Sequence, residues 1–109
     1  MAEASKVLGQ LNPAATTLTA LYTVPGSTQA VTSTLAIANR TSSTVVVRVS
    51  VAIGGAVDSL EQYILYDVSI PKNGYAFLTI GLTLAATDVV RVYTDTAGVS
   101  FNLFGVEVS

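Results

Sequence analysis

Cysteine, histidine and tryptophan are absent from this 109-residue chain, and only 11% of its residues are charged. Without cysteine there is no disulfide, no thiolate nucleophile and no thiolate metal site. Without histidine the commonest metal ligand and general base is missing as well. Most familiar catalytic constellations are thereby excluded, and no cofactor or metal is expected. Charge is scarce against a usual fraction of roughly 25%. Five basic and seven acidic residues leave a net charge of −2, so no positive field gathers phosphates or an anionic bilayer, and neither nucleic acid nor a membrane is an expected partner. Mean hydropathy is +0.59, yet no run approaches the ~18 uninterrupted apolar residues of a spanning helix. Residues 1–10 hold one Lys, one Glu and no apolar block, so they do not read as a signal peptide, and a cytoplasm is the expected place of synthesis.

Half of the residues are apolar, which excludes disorder, and the length suits a single core. A small domain has much surface for its volume and normally covers it with charge. The missing cover implies a surface hidden in an assembly.

Val and Thr dominate, and apolar positions recur with period two. The expected fold is all-β, a single antiparallel β-sandwich of about seven or eight strands, either jelly-roll or immunoglobulin-like. In 44–53, Val45, Val47, Val49, Val51 and Ile53 share a face. The segment 17–24 ends at Pro25-Gly26, a turn pair that predicts a strand directly after it over 29–39, with Val31, Leu35 and Ile37 inward. Gly54-Gly55 opens the longest expected loop. In 62–70, Ile64, Tyr66, Val68 and Ile70 share a face, and Pro71-Lys72-Asn73-Gly74 has hairpin chemistry. Its expected partner, 75–82, directs Tyr75 and Phe77 away from Ala76, Leu78, Ile80 and Leu82. Strands over 89–94 and 99–108 complete the set, with Gly105 marking a bulge or close backbone approach. Residues 1–15 are an N-terminal arm or edge strand, and 16–109 the sandwich domain.

Paired carboxylates are the one acid/base device this composition offers. Asp58, Asp88 and Asp95 fall in or beside turns, where side-chain bonds to the backbone explain them. Glu61 and Asp67 stand about 20 Å apart along one strand, too far to act on one bond. No Asp-rich calcium spacing is present, and Gly54-Gly55 lacks the Lys and helix of a phosphate loop. The chain is therefore expected not to be an enzyme. Of the aromatics, Tyr63, Tyr75 and Phe77 are candidates for an outer face. A subunit interface explains such a set better than a ligand site, because interface centres favour Tyr and Phe over Lys and Glu.

The segments Leu21-Tyr22-Thr23-Val24-Pro25-Gly26, Thr34-Leu35-Ala36-Ile37-Ala38-Asn39-Arg40-Thr41, Tyr66-Asp67-Val68-Ser69-Ile70-Pro71 and Val99-Ser100-Phe101-Asn102-Leu103-Phe104-Gly105-Val106-Glu107 resemble small structural proteins of tailed bacteriophages. So does the run from Leu82 to Tyr93, and the likeness spans most of 18–108. In that group, short β-sandwich proteins decorate capsids as cement or sit in tails, necks and fibres. The resemblance implies a non-enzymatic virion structural protein, a capsid decoration protein that bridges major capsid subunits as a homo-oligomer, trimer or dimer. It implies no catalytic residue. A tail, neck or fibre component is the same-class alternative, and a small glycan-binding module stacking sugars on Tyr63, Tyr75 and Tyr93 is the other-class one. Residues expected at contacts are Leu8, Leu11 and Leu18 near the N-terminus and Tyr63, Tyr75 and Phe77 on the sheet. Removal of residues 1–15 is expected to abolish capsid binding and leave the fold intact.

Overall fold

The structure, a computed structural model, describes residues 2–109; Met1 of the 1–15 segment lies outside them. Nine strands form two antiparallel sheets: β1 (Glu3–Leu11), β2 (Thr19–Thr23), β3 (Gln29–Asn39), β4 (Val45–Ala52), β5 (Tyr63–Ile70), β6 (Tyr75–Leu78), β7 (Thr83–Leu84), β8 (Val89–Thr94) and β9 (Val99–Val108). One sheet has the order β1-β9-β3-β6, with β7 also on β3, and the other β2-β8-β4-β5. β6 pairs with one half of β3 and β7 with the other, so the two short strands fill a single edge position. Counted that way, eight strand positions make two four-stranded sheets. Every connection except β4–β5 and β6–β7 crosses from one sheet to the other. This is a jelly roll. An immunoglobulin-like sandwich would instead keep several consecutive strands paired in one sheet.

The turn signals are correct as turns, and the strand expected after Pro25-Gly26 forms over 29–39, but the hairpin expected at 71–74 does not. Pro25-Gly26 carries the chain from β2 to β3 in the opposite sheet, and the 71–74 turn carries it from β5 to β6 in the same manner. Neither closes a hairpin. The crossing at 71–74 is tied down by Asn39, which is buried. Its Nδ2 donates to the carbonyls of Ser43, Ile70 and Pro71, and its Oδ1 accepts from the Thr41 amide and hydroxyl. One side chain thus holds both crossings at that end.

Val45, Val47, Val49, Val90, Val92 and Phe101 are fully buried between the sheets, as strict alternation requires. Four residues expected on buried faces, Val31, Ile53, Ile64 and Tyr66, lie outside. β3 bulges between Thr32 and Thr34, which reverses its parity. Ala30 and Thr32 therefore point in, and Val31 lies outside at 45% exposure. β5 shifts register between its pairings with Val47 and Val49, and Asp67 there takes φ +56°. Leu65 packs on the core, whereas Ile64 and Tyr66 are exposed. Ile53 leaves the strand altogether and is 80% exposed.

The expected strand over 75–82 is broken. Between β6 and β7, Thr32 spans the gap: its hydroxyl donates to the Ile80 carbonyl, and its amide and Oγ1 engage the carbonyl and amide of Leu82. Gly105 does mark a close approach, since a Cβ there would collide with the Val31 carbonyl across the bulge. β1 pairs with β9 from Glu3 to Leu11 as an edge strand, and Leu8, bulged between Val7 and Gly9, enters the core. Removal of 1–15 therefore strips a strand and a core residue from the fold, contrary to the expectation that the fold would be untouched.

Candidate interaction surface

Register and alternation define the outer face of the five-stranded sheet. Facing outward are Ser5, Val7 and Gln10 of β1; Ser100, Asn102, Phe104 and Val106 of β9; Val31, Thr34, Ala36 and Ala38 of β3; and Tyr75 and Phe77 of β6. Glu3 is the one charged side chain on this face, at its corner, and Arg40 lies just past the opposite end, its Nε on the Ser100 hydroxyl. Tyr75 and Phe77 are 69% and 67% exposed, with ring centroids 4.8 Å apart. Their Cα partners are Ala38 and Ala36, whose small side chains leave the two rings standing above the sheet. An exposed apolar patch without a charged cover is the mark of an interaction surface.

The outer face of the second sheet is different. Arg48 of β4 lies over the rings of Tyr66 and Tyr93, at 4.3 and 4.7 Å from their centroids, and its Nε donates to Asp67 at 2.6 Å. Tyr63 meets Tyr66 edge-on at 5.1 Å and donates its hydroxyl to Asp58. The Asp67 hydrogen bond holds the guanidinium charged, and burial followed by the Asp58 contact raises the Tyr63 hydroxyl. The cluster is a self-satisfied network whose cation already has its carboxylate.

Beside it, the connection over 53–62 folds across the end of this sheet. Arg91 donates to the carbonyls of Gly55 and Ala56, and the Gly54 amide donates to Asp88. This cover explains why Ser50 and Ala52, which alternate with the inward Val row, are themselves buried. The short 3-10 turn Leu60–Gln62 is closed by a capping box between Ser59 and Gln62, and Gln62 also donates to the Val57 carbonyl. The polar groups of the connection are thus turned onto one another and the sheet. Ile53, Val57 and Leu60 are left 80%, 87% and 78% exposed.

Two surface depressions of about 320 Å³ are lined by Ser27, Gln29 and Ala85 with their neighbours, and by Gln10, Asn12 and Asn102 with theirs; neither has a charged side chain. Among the described residues, no group of three or more Asp or Glu is placed to hold a metal ion, and no helix is long and apolar enough to cross a membrane.

No protein-family model matches the chain, and no curated protein matches it. Among solved structures the likeness is to a phage capsid protein. Two crystal structures of a pentameric capsid protein isolated from metagenomic phage sequences match 95% of this chain at 16% identity, with TM-scores of 0.42 and 0.38. The chain covers 62% and 64% of those proteins, less than two thirds of their length.

Of the six residues expected at contacts, the structure brings two together: Tyr75 and Phe77, adjacent on β6. Tyr63 lies on the other sheet, half-buried in the arginine cluster. Leu8 is buried in the core, Leu11 packs against it and Leu18 is half-buried. Tyr63 and Tyr93 share one outer face and Tyr75 occupies the other, so the three tyrosines form no common platform. The exposed residues missed from sequence are Val7, Val31, Ile53, Val57, Leu60, Ile64 and Tyr66. Val31 could be read only by knowing the bulge. The loop residues carried a signal, three large apolar side chains in a segment with no strand period, which reads as plain connection.

Proposed function

We propose that the protein is a non-enzymatic structural component of a bacteriophage virion, a capsid decoration protein that binds the assembled shell and copies of itself. The observation that carries this reading is the outer face of the five-stranded sheet, free of charge except at the Glu3 corner and set with Tyr75 and Phe77. The jelly roll supports it by analogy alone, since viral capsid and lectin domains both use that fold. The resemblance of the strand and turn segments to phage structural proteins points the same way.

Cementing of this kind is mass action: a protein that binds the assembled shell and not its free subunits draws the equilibrium away from disassembly. The β1–β9 half of the face, around Val7, Phe104 and Val106, is the part assigned to the capsid. Purified protein mixed with bare capsids and with tails, then separated by sedimentation, should load onto capsids in fixed stoichiometry. Val7→Glu should abolish loading and leave the melting temperature unchanged, because Val7 is already 43% exposed. Loading onto tails instead would transfer the protein to the neck or fibre class. A protein that binds neither, and whose aromatic NMR signals shift with glycans, would overturn the reading.

A further inference from the structure

We infer that copies of this chain associate head to tail, the 53–62 connection of one copy docking on the β6 end of the outer face of the next. The inference rests on the reading of the protein as one that assembles with itself.

Two apolar features are the most exposed: Tyr75 with Phe77 on one sheet, and Ile53, Val57 and Leu60 on the connection that covers the other. Their charges are complementary. Lys6 and Arg48 are paired with Glu107 and Asp67, and Arg91 is engaged by loop carbonyls. Arg91 thus also lacks a carboxylate but is already held against the connection; the other cations without one among the described residues are Arg40 and Lys72. Both belong to the aromatic patch: Lys72 is in the turn leading into Tyr75, and Arg40 follows Asn39, whose amide bonds Gly74 of that turn. The apolar connection carries Asp58 and Glu61, which are exposed and likewise without a cationic partner. An apolar surface flanked by positive charge therefore matches an apolar surface flanked by negative charge on the same chain.

The fold also fixes the kind of symmetry. Tyr75 pairs near the end of β3, the side on which β4 begins, whereas 53–62 follows the end of β4. The two features lie on opposite faces and at opposite ends of the sandwich. A two-fold dimer uses one patch of each copy against the same patch of its mate, so it cannot satisfy both features in a single contact. A heterologous contact can, and it builds a ring of three or more copies where the rotation closes and an open filament where it does not. The connection suits the role because its own hydrogen bonds order it before contact, which lowers the entropy lost on docking.

The test uses two variants of the full chain: a loop variant, Val57→Glu with Leu60→Glu, and a face variant, Tyr75→Glu with Phe77→Glu. Light scattering should find the unaltered protein oligomeric and each variant monomeric, with dissociation constants raised by about thirtyfold or more. Circular dichroism should be unchanged. An equimolar mixture of the two variants should give a 1:1 dimer and nothing larger, because only one intact loop and one intact face remain. Should charge on β6 unfold the face variant, Arg40→Glu with Lys72→Glu replaces it, and adding Asp58→Lys with Glu61→Lys to that chain should restore assembly. An oligomer that survives the loop variant, or a mixture that stays monomeric, overturns the head-to-tail contact and leaves self-assembly standing. An unaltered protein that is monomeric yet loads capsids overturns self-association alone. One that is monomeric and loads neither capsids nor tails overturns the virion reading with it.

Discussion

Glu107 accepts a hydrogen bond from the Tyr22 hydroxyl at 2.6 Å and from Lys6 Nζ at 3.1 Å, linking β2 to the β1–β9 edge. The Tyr22 bond, then the Lys6 bond, hold its carboxyl below the ordinary 4.5, while burial and the Glu107 contact push the Tyr22 hydroxyl up. A depressed carboxyl contributes stability above its unfolded value, and that stability is lost as pH falls through the folded one. Glu107→Gln should therefore flatten the acid limb of a plot of melting temperature against pH, over about pH 5 to 3, relative to the parent. For Tyr22 the sign is opposite: its contribution is present below pH 10 and declines as pH rises past it, because the unfolded chain ionises first. Asn39 has a larger role, since its loss orphans carbonyls in two crossings at once. Asn39→Ala should cost about 3 kcal/mol in urea unfolding.

At the scale of elements, β1 is held to β2 by a close approach at Gly9, where a Cβ would collide with the Leu21 carbonyl. Gly9→Ala should destabilise by about 1–3 kcal/mol, read from the shift in denaturation midpoint. A chain lacking residues 1–11 should lose its cooperative unfolding transition, because β9 would be uncovered and Leu8 gone from the core. The strands themselves were legible from period-two alternation, and β4 most of all through its Val row. The bulges were not, because a single extra residue at Ser33 or at Asp67 leaves no mark in hydrophobicity yet reverses every side chain on one side of it. Partner sheets were equally hidden. Pro-Gly and Asn-Gly chemistry states that the chain turns, and in a jelly roll almost every turn also changes sheet. Of the candidate surface, Tyr75 and Phe77 were readable because they stand on the polar parity of an amphipathic strand. The loop set was not, since exposure of Val57 or Leu60 depends on which way an aperiodic segment folds.

For the whole molecule, scarcity of charge and the placement of what charge exists are one design. Two ion pairs, one of them within the arginine cluster, and backbone hydrogen bonds to Arg91, Asp88 and Asp95 absorb most of it, leaving a face with little electrostatic protection against contact. Such a face makes the protein sensitive to salt in a defined direction. If the flanking pairs steer assembly, raising ionic strength from about 0.05 to 0.5 M should slow association, while the apolar centre should keep the dissociation rate nearly constant. Stopped-flow light scattering measures both.

The jelly-roll winding also sets a timetable for synthesis. Among the described residues β1 has no partner in its sheet except β9, so the first strand of this domain to be made pairs with its last. Almost all contacts join residues distant in the chain, an arrangement associated with folding in milliseconds to seconds. Until Val108 has cleared the exit tunnel, β1 is an unpaired strand and Leu8 has no core to enter. Nascent chains are thus exposed to misassociation for most of the time this domain takes to be made, and crowded polysomes are where its chaperone demand should peak.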